Sequence, residues 1–301
     1  MDRRAFLATL GAAAAVPVLP LGAAEPLPAG TGRVTLLHTN DTHSRIEPFG
    51  PGNGNLSGRG GMARRATLVK QLRAQLGSVL LLDAGDVFQG TPYFNRYKGV
   101  LDYQLMSLVG YDAATLGNHD FDNGVEGLLH AMEAARFPFV NCNFDLKGAP
   151  DLAQRVQPWL VKELPGVRVG ITGVGVNFKG LVAPKNHAGV VWKDPIESLK
   201  PVVNHLRSRE RVDLVVVLSH LGHNLRGYQV DDLRLAAEVP GIDAIIGGHS
   251  HTFLDAPVAV PQAHGETHIF QVGFGGVNLG RMDFTVRKGT ACAAGSALAV
   301  G

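Results

Sequence analysis

Two observations predict an α/β fold with a largely parallel sheet. Short, nearly continuous apolar runs recur along the chain, and segments with helical spacing lie between the early ones. The runs are residues 34–38, 79–83, 113–116, 139–141, 167–174, 214–219, 244–246, 269–272 and 282–286. Runs that do not alternate apolar with polar residues suit strands covered on both faces. Met62, Ala66, Val69, Leu72 and Leu76 mark one helix over residues 62–76. Leu101, Leu105, Leu108 and Val109 mark another over residues 100–109, and Val125, Leu128, Leu129 and Met132 a third over residues 125–135. Residues 195–209 form a fourth, with a kink expected at Pro201. Strand alternating with helix is the pattern of parallel sheets. No internal repeat of fixed period is present. The glycine-dense stretch 48–61 lacks the Lys-Ser/Thr of a phosphate-binding loop and reads as a mobile loop entering a helix.

The first 24 residues stand apart from this pattern. A basic start, an apolar stretch over residues 5–19 and the small residues Gly22-Ala23-Ala24 make an export leader, cut after Ala24. Arg3-Arg4-Ala5-Phe6-Leu7 resembles the bacterial twin-arginine signal, although Asp2 stands where Ser or Thr is usual and Ala8 where Lys is common. A periplasmic location is therefore expected. No other segment is long and apolar enough for a permanent membrane span. The net charge of +2, without a basic block, offers no electrostatic case for nucleic-acid binding. Cys142 and Cys292 lie far apart and lack zinc spacing; Cys142 follows an apolar run and reads as a buried thiol, and whether the two pair is open.

Five of the apolar runs end in chemistry-bearing residues. Residues 34–38 lead into Asn40-Asp41-Thr42-His43, and residues 79–83 into Gly85-Asp86. The run ending at Leu116 delivers Gly117-Asn118-His119-Asp120-Phe121-Asp122. Residues 214–218 deliver His220, and residues 243–246 deliver Gly248-His249-Ser250-His251. Ligands of open α/β sheets bind beyond the carboxyl ends of the strands. Any one such ending is commonplace, and a lone histidine after a strand is usually structural. Five together point to a metal site. Asp, Asn and His without thiolate suit Zn²⁺, Mn²⁺ or Fe²⁺. Asp41, His43, Asp86, Asn118, His220, His249 and His251 are too many for one tetrahedral ion and fit two ions sharing a carboxylate. Paired ions about 3.5–4 Å apart serve in-line displacement at phosphorus, polarising the phosphoryl oxygens and generating hydroxide near neutral pH.

These motifs resemble those of the calcineurin-like metallophosphoesterases. The words "LLHTNDTH", "LLLDAGDVFQG", "LGNHDFD", "LSHLG" and "IIGGHSHT" are similar to the catalytic domain of the exported bacterial 5′-nucleotidase and UDP-sugar hydrolase family, over about residues 34–284. The resemblance implies a four-layer sandwich, two mixed β-sheets face to face flanked by helices. It implies that Asp41, His43, Asp86 and His251 hold one divalent ion and Asp86, Asn118, His220 and His249 the other, with Asp86 bridging. His119 matches the residue that stabilises the transition state and protonates the leaving oxygen, and Asp122 matches its carboxylate partner. Asn118 and His119 would meet the substrate. Asp120 reads as a helix cap or a group behind the ligands, and Gly117 and Gly124 as the glycines that allow a tight turn. His223 lies close to His220 but is not assigned as a ligand. His38, His130, His187, His205, His264 and His268 are expected to be structural or exposed.

The expected function is hydrolysis of phosphate monoesters, nucleotides foremost, by attack of a metal-bridging hydroxide. The alternatives are a sugar-nucleotide or cyclic-nucleotide hydrolase, a thiosulfohydrolase-like enzyme, or a non-catalytic metal-binding partner subunit. Residues 25–301 are expected to form one domain. Members of the resembled family usually continue into a second domain that grips the nucleoside. After residue 286 the sequence holds no aromatic pair or arginine cluster for that work, so a separately encoded substrate-domain protein is an expected partner.

Overall fold

The computed structural model describes residues 31–301 apart from Arg226, Tyr228, Gln229, His264, Lys288 and Gly289. The leader assigned to residues 1–24 and the side chain of Cys292 lie outside the described residues.

The first sheet runs β15 (Thr290–Ala299), β14 (Asn278–Arg287), β1 (Thr31–Thr39), β2 (Val79–Asp83), β3 (Ala113–Ala114), β4 (Phe139–Val140) and β6 (Val156–Gln157). The second runs β12 (Val258–Gln262), β13 (Gly265–Phe270), β11 (Ala244–Gly247), β10 (Leu214–His220), β8 (Val167–Gly175) and β7 (Trp159–Leu164). β5 (Phe144–Asp145) and β9 (Val191–Trp192) form a separate pair. Each large sheet is parallel at its centre with antiparallel pairing toward its edges, so both are mixed.

The apolar runs explain the layers. Side chains alternate along a strand, and here both faces are covered. Val34 and Leu36 on β1, and Leu80 and Leu82 on β2, meet Leu214, Val216 and Leu218 of β10 in a core shared by the two sheets. Their neighbours Leu37 and Leu81 face outward, onto α1 (Met62–Gln75), α2 (Pro92–Tyr97), α3 (Val100–Val109), α4 (Gly124–Met132) and α5 (Pro150–Ala153). On the other side Val215, Val217 and Ile245 pack against α6 (Pro195–Ser208) and α7 (Asp232–Glu238). The result is helix, sheet, sheet, helix, the four-layer sandwich that the resemblance implied.

The local signals act where expected. Asp194 caps α6, accepting from the N–H groups of Ile196 and Glu197 at 2.9 and 3.0 Å, with Pro195 at the first helical position. α6 then runs through Pro201 as one helix. Residues 48–61 form turns and one 3₁₀ turn, Gly54–Leu56, before α1. Most boundaries shift by a residue or more, and two shifts bear on the site. The run 113–116 pairs only over Ala113–Ala114, and β13 ends at Phe270, which leaves Gln271 to bond a neighbouring loop through its side chain. Cys142 sits partly against the outer core of the second sheet, and burial pushes its thiol up to about 12. Among the described residues, no helix is long and apolar enough to cross a membrane.

Leu36 is fully buried between the sheets, whereas Leu108 on α3 is 75% exposed. Leu36→Ala should cost about 2–5 kcal/mol through lost transfer energy and the cavity left behind. Leu108→Ala should stay within about 0.5 kcal/mol. Urea unfolding of the two variants measures both; equal losses would contradict the shared core.

Candidate active site

The strand register brings the five motif-bearing ends level. Thr39 pairs with Asp83 and Asp83 with Ala114 across the first sheet. Ser219 pairs with Gly247 and His220 with Gly175 across the second. The carboxyl ends of both sheets therefore open on one crevice.

Backbone geometry then aims the side chains. Asp41, His43, Asp86, His249 and His251 have φ of 49°, 49°, 53°, 75° and 52°. This left-handed region costs an ordinary residue about 1–2 kcal/mol, and Asp, Asn and His enter it more readily than most. Tertiary hydrogen bonds hold the loops there. Asp41 N donates to Gly85 O at 2.9 Å, His43 N to Asp86 O at 3.1 Å and Ser44 N to Val87 O at 2.7 Å, so the loops after β1 and β2 run side by side. His249 N donates to both carboxylate oxygens of Asp41, at 3.1 and 3.0 Å, which ties the second sheet to the first.

Two groups of side-chain donors result. Asp41, His43 and His251 form one, and Asp86, His220 and His249 the other; within each group the donor atoms lie within 4.8 Å of one another. His43 Nε2 stands 3.0 Å from His251 Nε2, while its Nδ1 lies 3.0 Å from Phe88 O. His220 Nδ1 lies 2.7 Å from Ala84 O, and its Nε2 is 3.1 Å from Asp86 Oδ2 and 4.0 Å from Asp41 Oδ1. A backbone carbonyl can only accept, so the proton of each neutral ring sits on Nδ1 and the Nε2 lone pair faces the crevice. Asn118 Oδ1 is buried and makes no hydrogen bond, and His220 Nε2 faces the Asp86 carboxylate. An orphaned amide oxygen beside buried carboxylates and imidazoles is what divalent cations would satisfy, so the donor set fits the group.

Packing leaves no room for larger residues at the centre. A Cβ on Gly117 would strike the Asp86 carboxylate and the His220 ring, and one on Gly248 would press on His220 and Asp41. Close approach, rather than left-handed backbone, is what Gly117 provides; Gly124, at φ 75°, supplies the turn.

The remaining residues of the motif divide their work. His119 Nδ1 lies 2.8 Å from Asp122 Oδ2, and the backbone N–H of His119 donates to Asp86 Oδ1 at 2.7 Å. Asp120 does not cap a helix. Its carboxylate accepts from the N–H groups of Gly117, Asp86 and Val87 at 2.8, 3.1 and 3.1 Å, bracing two ligand loops at once.

The charges follow from this packing. The hydrogen bond that His119 donates to the Asp122 carboxylate raises the pKa of His119. Burial and the neighbouring Asp86 push Asp120 up to about 7. Burial alone would raise Asp86 and lower His220, but their mutual attraction holds Asp86 well below the usual carboxylate range and pushes His220 up to about 10. Burial and the His220 charge push His249 down to about 4, so it is neutral at pH 7.

Several positioning residues carry no sequence signal of their own. Asn40 donates to Asp41 Oδ2 and Gly273 O at 2.6 Å and accepts from Val272 N at 3.1 Å. Gln271 accepts from Ser250 Oγ at 2.8 Å and from Thr252 N, and donates to Gly248 O at 2.6 Å, holding the loop of His249 and His251. Both look like ordinary strand-end residues until their partners are known. The other histidines match their structural reading. His38 is buried against Phe270, with burial pushing it down to about 3. His187 stacks on Phe178, His205 packs at a tilt against Trp159, and His268 packs edge-on to Phe284. His130 is exposed beside Glu133, and His223 belongs to neither donor group. His264 lies outside the described residues.

Fold and site together define a dinuclear-type phosphoesterase scaffold. A family model described as calcineurin-like phosphoesterase matches residues 34–253, and the chain belongs to that family. A snake venom 5′-nucleotidase of Gloydius brevicauda is 38% identical over 239 residues, 77% of this chain and 39% of the relative. The 5′-nucleotidase of Rattus norvegicus is 37% identical over 246 residues, 79% of this chain and 41% of the relative. The crystal structure of a 5′-nucleotidase precursor from Thermus thermophilus superposes with a TM-score of 0.81 at 35% identity, covering 89% of this chain and 55% of that one. The chain thus spans about two fifths of the length of these curated relatives.

The Asp86–His220 pair predicts how metal uptake depends on pH. A cation must displace the proton that His220 keeps below about pH 10. Affinity should therefore rise with pH between neutrality and that value, by roughly tenfold per unit for each proton displaced. Titration calorimetry in buffers of different ionisation enthalpy should show proton release and about two metal equivalents per chain. Asp86→Ala should lose most of both equivalents; one equivalent, indifferent to Asp86 and to pH, would contradict a shared site.

Proposed function

We propose that the protein hydrolyses phosphate monoesters, nucleotides foremost, with two divalent cations, Zn²⁺, Mn²⁺ or Fe²⁺. In this reading Asp41, His43, Asp86 and His251 hold one cation, and Asp86, Asn118, His220 and His249 the other. The observation that carries it is the convergence of two donor groups with the 2.8 Å His119–Asp122 contact in one crevice. The 5′-nucleotidases among the relatives favour nucleotides as substrates. When bound, the cations neutralise the phosphoryl oxygens and lower the pKa of water.

The chain's own residues do the rest. Asn118 and His119 meet the phosphate. Asp122 holds His119 Nδ1, fixing the ring and favouring its protonated form. As water oxygen bonds to phosphorus and the ester P–O bond breaks, protonated His119 gives its Nε2 proton to the departing alkoxide. Alcohol and phosphate leave, and His119 regains a proton from the water that attacked. Asp120 keeps the loops of Asp86 and Asn118 in register throughout.

His119→Ala should retain metal and lose about 10²–10⁴-fold in kcat. The loss should shrink on p-nitrophenyl phosphate, whose leaving group needs little protonation. Asp122→Ala should act the same way but more weakly, and the double variant should be non-additive. Steady-state kinetics on both esters decides; a silent Asp122→Ala with a damaging effect confined to Asp120→Ala would reverse the assignment.

Residues 1–24 act in this reading as a twin-arginine leader for a periplasmic enzyme, which allows folding and metal loading before export. Replacing Arg3 and Arg4 by lysine should leave the protein in the cytoplasm on cell fractionation. Undiminished export would assign the leader to the general secretory route.

A further inference from the structure

A cavity of about 460 Å³ opens beside His249, within the range of roughly 300–1,000 Å³ usual for ligand pockets. Val176, Leu181, Trp192 and Leu221 give it apolar walls, and Lys179 and Arg234 line it as well. It is built directly onto the ligand-bearing strands. Val176 follows Gly175, which pairs with His220, and Leu221 follows His220 itself. Trp192 is pinned there, its indole N–H donating to Gly175 O at 3.0 Å. Leu181 is 45% exposed, a large apolar side chain facing solvent at the edge of a polar crevice.

The loop that walls the cavity, residues 176–190, is also locked to the turn of His119. Phe178 packs on Phe121 with ring centroids 4.9 Å apart, and Asn186 donates to Asp122 O at 2.9 Å. One segment therefore borders both the donor group of His249 and the carbonyl of the residue that holds His119. Binding and hydrolysing phosphate needs no apolar surface; the organic part of the ester does. Arg234 is already paired with Glu238 at 2.6 Å, and Asp194 lines the cavity together with Lys179, so its charges are mixed rather than those of a dedicated anion site.

We propose that this cavity receives the organic leaving group of the ester, and that it suits a bulky group with apolar or planar faces, of nucleoside size, over a small polyol. This rests on the phosphoesterase reading above and adds that residues 176–192 themselves select the substrate. Remote contacts of this kind orient the reacting phosphate and raise kcat/KM.

The test compares AMP with glycerol 2-phosphate on the metal-loaded full chain. Wild type should prefer AMP in kcat/KM, and adenosine should compete with glycerol 2-phosphate. Leu181→Trp fills the cavity from an exposed loop position. It should lower the AMP-to-glycerol 2-phosphate ratio of kcat/KM by about tenfold or more and weaken adenosine inhibition in parallel. Leu181→Ser, which removes an apolar wall, should lower the ratio less. An unchanged ratio in both variants, with melting temperatures like wild type, overturns the proposal while leaving the phosphoesterase reading intact. A wild type inert on both esters removes that reading, and this inference with it.

Discussion

The architecture depends on the contact between Asp86 and His220. Asp86 comes from the loop after β2 in one sheet, and His220 is the last residue of β10 in the other. Both are buried, and they lie 3.1 Å apart. Removing either charge from water costs free energy that only an opposite charge or a cation offsets. The interior is already rich in acids. Asp83 and Asp102 are buried near Arg65 yet still pushed by burial up to about 7, and burial also raises Asp232 well above the usual carboxylate range. Asp86 alone among these is held below its ordinary range, because a histidine faces it directly. Negative charge is thus kept at the point where the two donor groups meet.

That arrangement stands on strained backbone. Five of the proposed ligands occupy left-handed conformations that the isolated loops would avoid. The layers on either side make those conformations tolerable. Leu36, Leu80, Leu218 and Ile246 fix the strands behind the loops, and Asn40, Asp120 and Gln271 cross-link the loops in front of them. The positioning side chains are polar and buried, and each serves two or more backbone groups. Their role is geometric: a loop held at both flanks cannot relax out of the left-handed region without breaking several buried hydrogen bonds.

The crevice is built from sheet ends and bordered by one long loop. The sheet ends supply every candidate metal donor, whereas residues 176–190 supply none. That loop grips the His119 turn through Phe178 and Asn186 and presents Leu181 and Val176 to the cavity at His249. The loop is therefore tied to the turn that carries Asn118, His119 and Asp122, and a change at Phe178 or Asn186 would reach that turn.

The sequence by itself determined that the strands are covered on both faces and that chemistry-bearing residues gather at their ends, and the family resemblance added the four layers. Unbroken apolar runs required strands covered on both faces, and Asp, Asn and His at five strand ends required a polar crevice. The resemblance supplied Asp122 as the partner of His119, and one short turn sets the two side chains 2.8 Å apart. Tertiary structure alone decided the rest. Which donors share a group depends on strand order and register, which bring Asp41 to His251 across more than 200 residues of chain. Asp120 reads as a cap or as a group behind the ligands, and only the loop of Asp86, which brings its N–H groups within reach, decides for the second. Asn40 and Gln271 announce nothing, because a side-chain amide has no signature apart from the groups it meets. The cavity beside His249 is equally silent in sequence: its walls are ordinary residues from separate segments, and only packing makes them one surface.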